Sequence, residues 1–320
     1  MKVVEHLERA AEPPISFEII PPLRGGTVRG VLELMDELMR YRPPFIDITS
    51  HAAEIIYEET EEGIQRRIKR KRPGTMGVCA LIQNKYQVDA VPHVLCHGFT
   101  REETEDFLIE LRYLGIDNVL AIRGDDSGYQ KPLRGRTAND HACDLVGQIA
   151  EMNHGHYLGL DLIEADPTDF CVGVAGYPEK HFEAPSLDID IRHTREKIDE
   201  GASYVVTQMF FDNSAYFAYV ERCRAAGITA PIIPGLKVLS SRKQVSSIPS
   251  HFYVDLPTAL ADELATVADD RVLDVGVEWA LGQVRELLDR GAPSLHFYIM
   301  QSSKGVRQVL DKLRLGTLAG

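Results

Sequence analysis

Seven polar residues stand where strands of a buried sheet would be expected to be apolar. Parallel strands covered on both faces are nearly all apolar, and burying an unpaired polar group costs about 1–3 kcal/mol. Taken singly, each residue also fits a structural role, such as a helix cap or a core histidine. Polar residues at the same end of six strands are better explained by a ligand at a barrel mouth. The seven are Glu18, Thr49, His93, Arg123, Asp125, Tyr177 and Gln208.

The stretch GYPEKHFEAPSLDID, residues 176–190, follows a strand-like run and mixes an aromatic ring with cations and acids. A simple turn would be shorter and dominated by Gly, Asn and Asp. The stretch is therefore predicted to be a loop with a binding role.

Eight short β-rich runs alternate with longer amphipathic runs, which is the pattern of an α/β fold of the (β/α)8 TIM-barrel type. The helical runs carry start and stop signals, such as the capping box of Thr100 and Glu103 and the terminating Gly115. An open doubly wound sheet is the alternative, but the first strand is followed by PPLRGG rather than a Gly-rich phosphate loop. The strand candidates begin at Ile15, Phe45, Asp89, Asn118, Phe170, Tyr204, Pro231 and Ser294.

The 320 residues are expected to form one catalytic barrel domain, with residues 1–14 as an N-terminal helix. Residues 240–293 are the longest stretch without the alternation of strand and helix, so extra helices are predicted between the seventh and eighth strands.

In the fourth strand, alternation places Val119, Ala121, Arg123 and Asp125 on one face. This favours a position at the mouth for both Arg123 and Asp125.

Composition argues against several classes of protein. A net charge of −13 is unlike that of proteins that grip nucleic acid phosphates, and no apolar run reaches the roughly 18 residues of a membrane span. The basic run RRIKRKRP, residues 66–73, is expected to be a solvated helix end. Five scattered cysteines without a CxxC indicate buried thiols in a reducing cytoplasm.

Two familiar kinds of catalytic site are not predicted. The run HVLCH suggests a metal site, but His93 and Cys96 would point to opposite faces of one strand, and no HExxH occurs. No metal site is therefore expected. A serine hydrolase is unsupported because the sequence has no GxSxG.

The segments SFEIIPP, PHVLC, LAIRGD, GVAGYPEKH, EGASYVVTQMFFD, AAGITAPIIPGL and HFY occur in this order. Together they resemble the methylenetetrahydrofolate reductase family from about Ile15 to the last helix, in its short bacterial form. The resemblance implies tightly bound FAD and ping-pong hydride transfer from NADH or NADPH, through the flavin, to 5,10-methylenetetrahydrofolate, yielding 5-methyltetrahydrofolate. It also implies a homo-oligomer that serves one-carbon metabolism and methionine biosynthesis.

The resemblance also implies roles for individual residues. Glu18 matches the acid that protonates the departing nitrogen, and Asp125 matches an acid beside the flavin pyrimidine ring, where it favours the cationic iminium formed from the folate. Gln208 matches the residue that reads the pterin, and Tyr298 is expected to touch the substrate. The positions that match FAD contacts are Thr49, His93, Arg123, Gly124, Asp125, His141, Ala142, Tyr177, His181, Asp190, His193 and Lys197.

Some residues depart from the family pattern. His141 replaces a usual Tyr, the last strand reads FYIMQS where FYTLN is usual, and a cation common after it is missing. Arg242 stands where an aromatic often covers the nicotinamide or folate. These departures leave the electron donor and the binding of the folate tail open.

Two other functions stay open. One is a folate-binding barrel module without redox chemistry, although the set from Tyr177 to Lys197 argues against it, because a pterin-only site needs no dinucleotide clamp. The other is an unrelated lyase on the same barrel, since a fold alone does not fix a function.

Overall fold

A closed barrel of parallel strands forms the centre of the structure, a computed structural model that describes residues 1–125, 128–129, 131–159, 165–300 and 302–318. Its strands are β1 (Ile15–Ile19), β2 (Phe45–Ile48), β3 (Ala53–Thr60), β4 (Gly63–Arg70), β5 (Asp89–Leu95), β6 (Asn118–Ile122), β7 (Cys171–Gly176), β8 (Tyr204–Met209), β9 (Ile232–Leu236) and β10 (Leu295–Met300). All except β3 and β4 close into the barrel, in the order β1, β10, β9, β8, β7, β6, β5, β2. The predicted TIM-barrel fold and its eight strands are confirmed.

Helices follow every barrel strand and cover the barrel from outside. They are α1 (Val3–Arg9), α2 (Arg29–Leu38), α3 (Thr75–Tyr86), α4 (Arg101–Tyr113), α5 (Ala142–Asn153), α6 (Leu187–Asp199), α7 (Asn213–Ala225), α8 (Gln244–Phe252), α9 (Thr258–Thr266), α10 (Val272–Asp289) and α11 (Lys304–Leu318). The capping box of α4 is confirmed, because Glu103 N–H donates to Thr100 Oγ1 at 3.3 Å and Thr100 N–H donates to Glu103 Oε2 at 3.0 Å.

The predicted extra helices between the seventh and eighth barrel strands are α8 and α9, which precede α10. Leu260 and Leu264 of α9 are fully buried and pack with Met209 and Phe211 at the end of β8. The insertion thus has a small apolar core of its own, which extends the barrel wall above β8 and β9.

Alternation along the strands separates an outer apolar layer from an inner layer that changes character with height. In β1, Phe17 and Ile19 point outward into the core under the helices, and both are fully buried. Ser16 and Glu18 therefore point into the barrel, because successive strand residues face opposite sides. The inner layer is apolar at the amino-terminal end of the barrel and polar toward the mouth.

Helix α1 closes the amino-terminal end of the barrel. Val3 is fully buried among inner residues such as Phe45 and Tyr204, and its N–H donates to Asn118 Oδ1 at 2.8 Å. Tyr204 crosses the interior over Gly173, where an added Cβ would lie 2.3 Å from the Tyr204 ring. The predicted N-terminal segment of residues 1–14 is helical only over Val3–Arg9, and this helix acts as a plug for this end.

The basic run at residues 66–73 is not a helix end, so that prediction is wrong. Most of it forms β4, which pairs antiparallel with β3 in a two-stranded hairpin separate from the barrel. The register sets Ile55 opposite Ile68, and Arg67 Nε lies 2.9 Å from Glu58 Oε2. Strand β3 supplies acids and isoleucines that match the cations and isoleucines of β4, and this pairing favours a hairpin over a helix.

Strand β6 ends at Ile122, before Arg123 and Asp125. Val119 and Ala121 face outward and are buried under the helices, so the predicted common strand face extends only to Ala121. Arg123 and Asp125 lie instead in the loop beyond the strand, with Gly124 between them at φ 84°. That positive φ redirects the chain at the mouth, which simple alternation does not take into account.

Candidate active site

Glu18 lies on the inner wall of the barrel near the mouth. The strand register sets it beside Asp47 of β2 and Tyr298 of β10, and its Oε2 lies 3.4 Å from Nε2 of His93 on β5. Four strands thus bring two carboxyl groups, an imidazole and a phenol together inside the barrel.

Glu18 is held in its acid form by burial. Desolvation raises its pKa from 4.5 to about 8, against an opposing effect of nearby Lys237, and its side chain is only 14% exposed. The pKa of Lys237 is lowered to about 8 by burial, and its Nζ donates to the carbonyls of Tyr298 at 2.8 Å and Ile299 at 3.3 Å. Near neutral pH, Glu18 can therefore act as a proton donor.

A second carboxyl group, Asp47, lies deeper in the barrel than Glu18. Its two oxygens are buried without a hydrogen-bond partner among the described residues, and burial together with the neighbouring Glu18 raises its pKa well above the usual value. Its Oδ1 lies 4.0 Å from His93 Nε2, and its Oδ2 lies 3.8 Å from His296 Nδ1. Burial lowers the pKa of both histidines to about 3. Both imidazoles are therefore neutral, and their contacts with Asp47 are not ion pairs.

Tyr298 and Gln208 form the opposite part of the inner wall. The Tyr298 hydroxyl donates to the Thr207 carbonyl at 2.7 Å, and its ring crosses Gly235, where a Cβ would lie 2.7 Å from ring carbon Cε2. Strand β8 loses its regular pairing around Gln208, and the Gln208 Oε1 accepts from the Met209 N–H at 2.9 Å. The Gln208 side chain is half-buried.

The loop after β7 folds back onto the start of α6 and gathers four of the predicted residues. The rings of Tyr177 and His181 meet edge to face at 4.7 Å, and the His181 N–H donates to Asp190 Oδ2 at 2.9 Å. Asp190 is 4% exposed. The buried Lys197 donates from Nζ to the Ala175 carbonyl at 2.6 Å, which fixes its ammonium beneath the end of β7.

Arg123 links the loops that follow β6 and β7. Its Nη1 lies 2.5 Å from Glu183 Oε2, and the Glu183 N–H donates to His181 Nδ1 at 3.3 Å. Because Nδ1 accepts, the neutral His181 ring keeps its proton on Nε2. Burial lowers the pKa of His181, so this ring offers a neutral N–H donor rather than a positive charge.

Several predicted residues do not join this group by direct contact. His141 is exposed and precedes α5, where its backbone N–H donates to Asp144 Oδ2 at 2.8 Å, and Ala142 is the first residue of that helix. His193 is exposed on α6 although Asp190, three residues earlier, is buried. Asp125 is exposed at the mouth beyond β6. Gln301, within the FYIMQS departure, lies outside the described residues.

Thr49 and His51 carry buried side-chain atoms that lack protein partners in the described part of the chain. These atoms are Thr49 Oγ1 and His51 Nδ1, at the mouth end of β2. Buried polar atoms are normally paired, so a polar ligand in this position would satisfy them. A cavity of about 260 Å³ is lined by Ser50, Arg70 and His93, but most of its other walls come from the starts of α3 and α4 and from α4 itself, so it lies largely beside these helices and is not a cofactor-sized space at the mouth. The two unpaired atoms nevertheless fit a polar-edged cofactor at the mouth.

Arg242 has a structural role at the end of α9. Its Nη2 lies 2.9 Å from Asp269 Oδ1 and 2.5 Å from the Val267 carbonyl, and its Nη1 donates to the Leu264 carbonyl at 2.6 Å. Carbonyls at a helix end lack intrahelical donors, and the guanidinium supplies them. These contacts tie its charge to the insertion rather than leave it free to stack on a ring.

The sequence interpretation missed the deeper polar residues Asp47, Lys237 and His296. A signal for them was present, because Asp47 lies on the same strand face as Thr49, and Lys237 and His296 interrupt the apolar runs PIIPGLKVL and SLHFY.

Among the residues described, no cluster of three or more His, Cys, Asp or Glu side chains could hold a metal ion. No helix in the same part of the chain is long and apolar enough to cross a membrane.

The fold and the site define a class of (β/α)8 barrel protein with an acid buried at the mouth and a cradle of loops after β6 and β7. The family model of methylenetetrahydrofolate reductase matches residues 2–314. The chain therefore belongs to the methylenetetrahydrofolate reductase family.

Named relatives agree with this assignment. The chain is 32% identical over 303 residues to methylenetetrahydrofolate reductase 1 of Schizosaccharomyces pombe, covering 94% of this chain and 46% of that protein. It is 29% identical over 294 residues to 5,10-methylenetetrahydrofolate reductase of Salmonella typhimurium, covering 91% and 87%. The chain spans about half the length of the eukaryotic relatives, such as the yeast protein.

A solved structure has the same fold. It is an uncharacterized protein from Clostridium thermocellum that binds two copies of 5-methyl-5,6,7,8-tetrahydrofolic acid. It matches with a TM-score of 0.60 over 98% of this chain and 99% of that one, at 12% identity. At that identity, the likeness concerns the fold alone.

Proposed function

We propose that this protein is an FAD-dependent oxidoreductase that reduces 5,10-methylenetetrahydrofolate to 5-methyltetrahydrofolate. The observation that carries the proposal is Glu18, a carboxyl group buried at the barrel mouth whose pKa is raised to about 8. Opening the five-membered ring of this substrate requires a proton on the departing nitrogen, and a carboxylic acid that keeps its proton near neutral pH can supply it.

Three groups around Glu18 support that role. His93 and His296 are neutral, because burial lowers the pKa of each to about 3, so neither holds Glu18 as a carboxylate by its charge. Lys237 contributes the nearby cation that lowers the Glu18 pKa, and it therefore stabilises the carboxylate that remains after the proton has left. The Gln208 amide is assigned to the pterin edge, and Tyr298 to the wall of the substrate site.

The residues assigned to FAD are those that match the FAD contacts of the family. Thr49, His93, Arg123 and Gly124 line the β2, β5 and β6 sides of the mouth, and the set Tyr177, His181, Asp190 and Lys197 lies on its β7 side; Asp125, His141, Ala142 and His193 are kept as outer contacts. The buried atoms Thr49 Oγ1 and His51 Nδ1, which lack protein partners, support a polar ligand there. Bound FAD would relay a hydride from NADH or NADPH to the methylene carbon, in ping-pong order.

Asp125 is proposed to act through its charge. It is exposed at the mouth, so its carboxylate can face a cofactor without the cost of full burial. A negative charge there disfavours the reduced flavin and favours the cationic iminium that forms from the folate. Residues 1–320 are taken as one catalytic unit, and the five free cysteines support work in a reducing compartment, the cytoplasm.

The test uses the purified protein. Denaturation and chromatography of the supernatant are expected to release FAD, and the protein reduced under anaerobic conditions is expected to be reoxidised by methylenetetrahydrofolate with formation of 5-methyltetrahydrofolate. A protein that binds the folate but neither contains nor takes up flavin would be a non-redox folate module. A protein that binds neither the folate nor flavin would have the fold of the family but would catalyse a different reaction.

A further inference from the structure

The β3–β4 hairpin has two faces of different character. Its register sets Ile55 opposite Ile68, Tyr57 opposite Arg66 and Glu59 opposite Ile64. Because side chains alternate between the faces of a strand, all six lie on one side of the hairpin. We call this side the apolar face; it consists of Ile55, Tyr57, Glu59, Ile64, Arg66 and Ile68.

The opposite face is suited to water. Glu58 Oε2 lies 2.9 Å from Arg67 Nε, and Glu54 Oε1 lies 3.2 Å from Lys71 Nζ just past the strand. These two ion pairs neutralise four of the charges on that side. The hairpin is therefore amphipathic with the period of two that half-buried strands show.

Most of the apolar face is not covered by the rest of the chain, although Ile55 is half-buried. Ile64 is 74% exposed, Tyr57 is 69% exposed and Ile68 is 53% exposed. An isolated two-stranded hairpin is at best marginally stable in water, and a contiguous exposed apolar surface marks an interaction site. One face of the hairpin carries ion pairs, and the other exposes apolar side chains that a partner protein could cover.

The charges on the apolar face suit a second copy of this chain. Glu59 and Arg66 lie on that face, and neither forms an ion pair within the described part of the chain. A two-fold contact pairs residue i of one copy with residue j of the other in both directions. Glu59 can then meet Arg66 of the partner subunit twice in one interface, with the isoleucines and Tyr57 between the two pairs.

We propose that two copies of this chain associate through the apolar faces of their β3–β4 hairpins, packed against each other about a two-fold axis. Across the chain, a net charge of −13 opposes association of two copies. Residues 53–72 hold six cations against five acids, so this segment lacks the negative charge of the remainder, which favours this surface. The proposal does not depend on the reaction that the barrel catalyses.

The first test is the mass of the full chain by sedimentation velocity across a range of concentrations. The wild type is expected to form dimers, and the double variant Ile64→Ser with Ile68→Ser is expected to weaken dimerisation by on the order of 100-fold, because two isoleucine side chains lose their burial. Both side chains are exposed in the single chain, so the thermal unfolding of the separated subunit is expected to stay unchanged. The matched control is Tyr113→Ser on α4, which is 82% exposed and lies outside the hairpin.

The second test exchanges the charges. Arg66→Glu and Glu59→Arg are each expected to weaken the dimer, and the double variant is expected to restore it, because the opposite charges face each other again. Arg67→Glu on the other face is the control and is expected to leave the mass unchanged. A wild-type chain that stays monomeric, a dimer insensitive to the isoleucine changes, or a charge exchange without restoration would each overturn the proposal.

Discussion

The Oε2 atom of Glu18 lies 3.4 Å from the Nε2 atom of His93, and both side chains face the interior of the barrel. A protonated imidazole at this distance would hold Glu18 as a carboxylate. Burial instead lowers the pKa of His93 to about 3, so the imidazole is neutral and Glu18 keeps its proton. Burial of both groups thus determines that Glu18, and not His93, is the acid.

Replacing Glu18 is expected to slow the oxidation of the flavin by the folate without slowing the reduction of the flavin by the nicotinamide. Glu18→Gln is expected to retain flavin binding and flavin reduction by the nicotinamide, since the amide keeps the shape of the acid. Reoxidation by methylenetetrahydrofolate is expected to slow by about 10²–10⁴-fold, the usual cost of removing a general acid. Stopped-flow absorbance of the flavin measures both steps. An equal loss in the two steps would mean that Glu18 is structural.

The folate half-reaction is expected to depend on pH through Glu18. The active form is the protonated one, so the rate is expected to be flat well below pH 8 and to fall tenfold per unit as pH rises through the Glu18 pKa of about 8. Lys237 lowers that pKa, so Lys237→Met is expected to move the midpoint to higher pH. Single-turnover rates across pH measure the shift. The exposed Lys304→Met serves as the control, and a midpoint that stays in place or falls in Lys237→Met would contradict the coupling.

Asp125 is expected to tune the flavin. Asp125→Asn removes a negative charge and keeps the shape, so the flavin potential is expected to become more positive, by roughly 30 mV, or about 1.4 kcal/mol for two electrons. The folate half-reaction is expected to slow at the same time. A redox titration against a reference dye measures the potential. Asp117→Asn, just before the start of β6, is the matched control, and an unchanged potential in Asp125→Asn would place Asp125 away from the flavin.

Arg242 is expected to matter for stability rather than for the electron donor. Arg242→Met removes the donors to the Leu264 and Val267 carbonyls, and unmet carbonyls cost about 1–3 kcal/mol. Denaturant unfolding measures that loss, and stopped-flow reduction by NADH and NADPH is expected to be unchanged. Arg222→Met, which breaks an exposed pair with Asp188, is expected to cost less than about 1 kcal/mol. A raised KM for NADH or NADPH in Arg242→Met would return Arg242 to the donor site.

The barrel was predictable from sequence because its strands are apolar on the outer face and its helices carry clear start and stop signals, as in Thr100 and Gly115. The hairpin was not, because cations dominate β4 and its alternating Ile64 and Ile68 are too few to stand out. Only the partner strand, with Ile55 and Glu58 in register, decides between helix and strand for that segment. Non-local pairing of this kind is what local patterns lack.

Some residues of the candidate site were also predictable from sequence, and others were not. Glu18, His93 and Tyr177 were identifiable because polar residues at strand ends are unusual. Asp47 and His296 were missed although each interrupts an apolar run, because only the pairing of β1 with both β2 and β10 brings them to the same part of the barrel as Glu18. Burial keeps the His296 imidazole neutral and raises the pKa of the Asp47 carboxyl group. That burial depends on the whole barrel and not on any single segment of sequence.

The pairing of β1 with β10 has a consequence for the order of events during synthesis. Ile15 pairs with Leu295 and Glu18 with Tyr298, so β1 must wait until β10 has been made before this edge of β1 is covered. Unpaired edges invite pairing with other chains, and nascent chains emerge at about 5–20 residues per second. For this chain, the interval between the emergence of β1 and its closure is on the order of 14–56 seconds at those rates. The proton donor of the proposed reaction therefore acquires its buried surroundings only after β10 has been made.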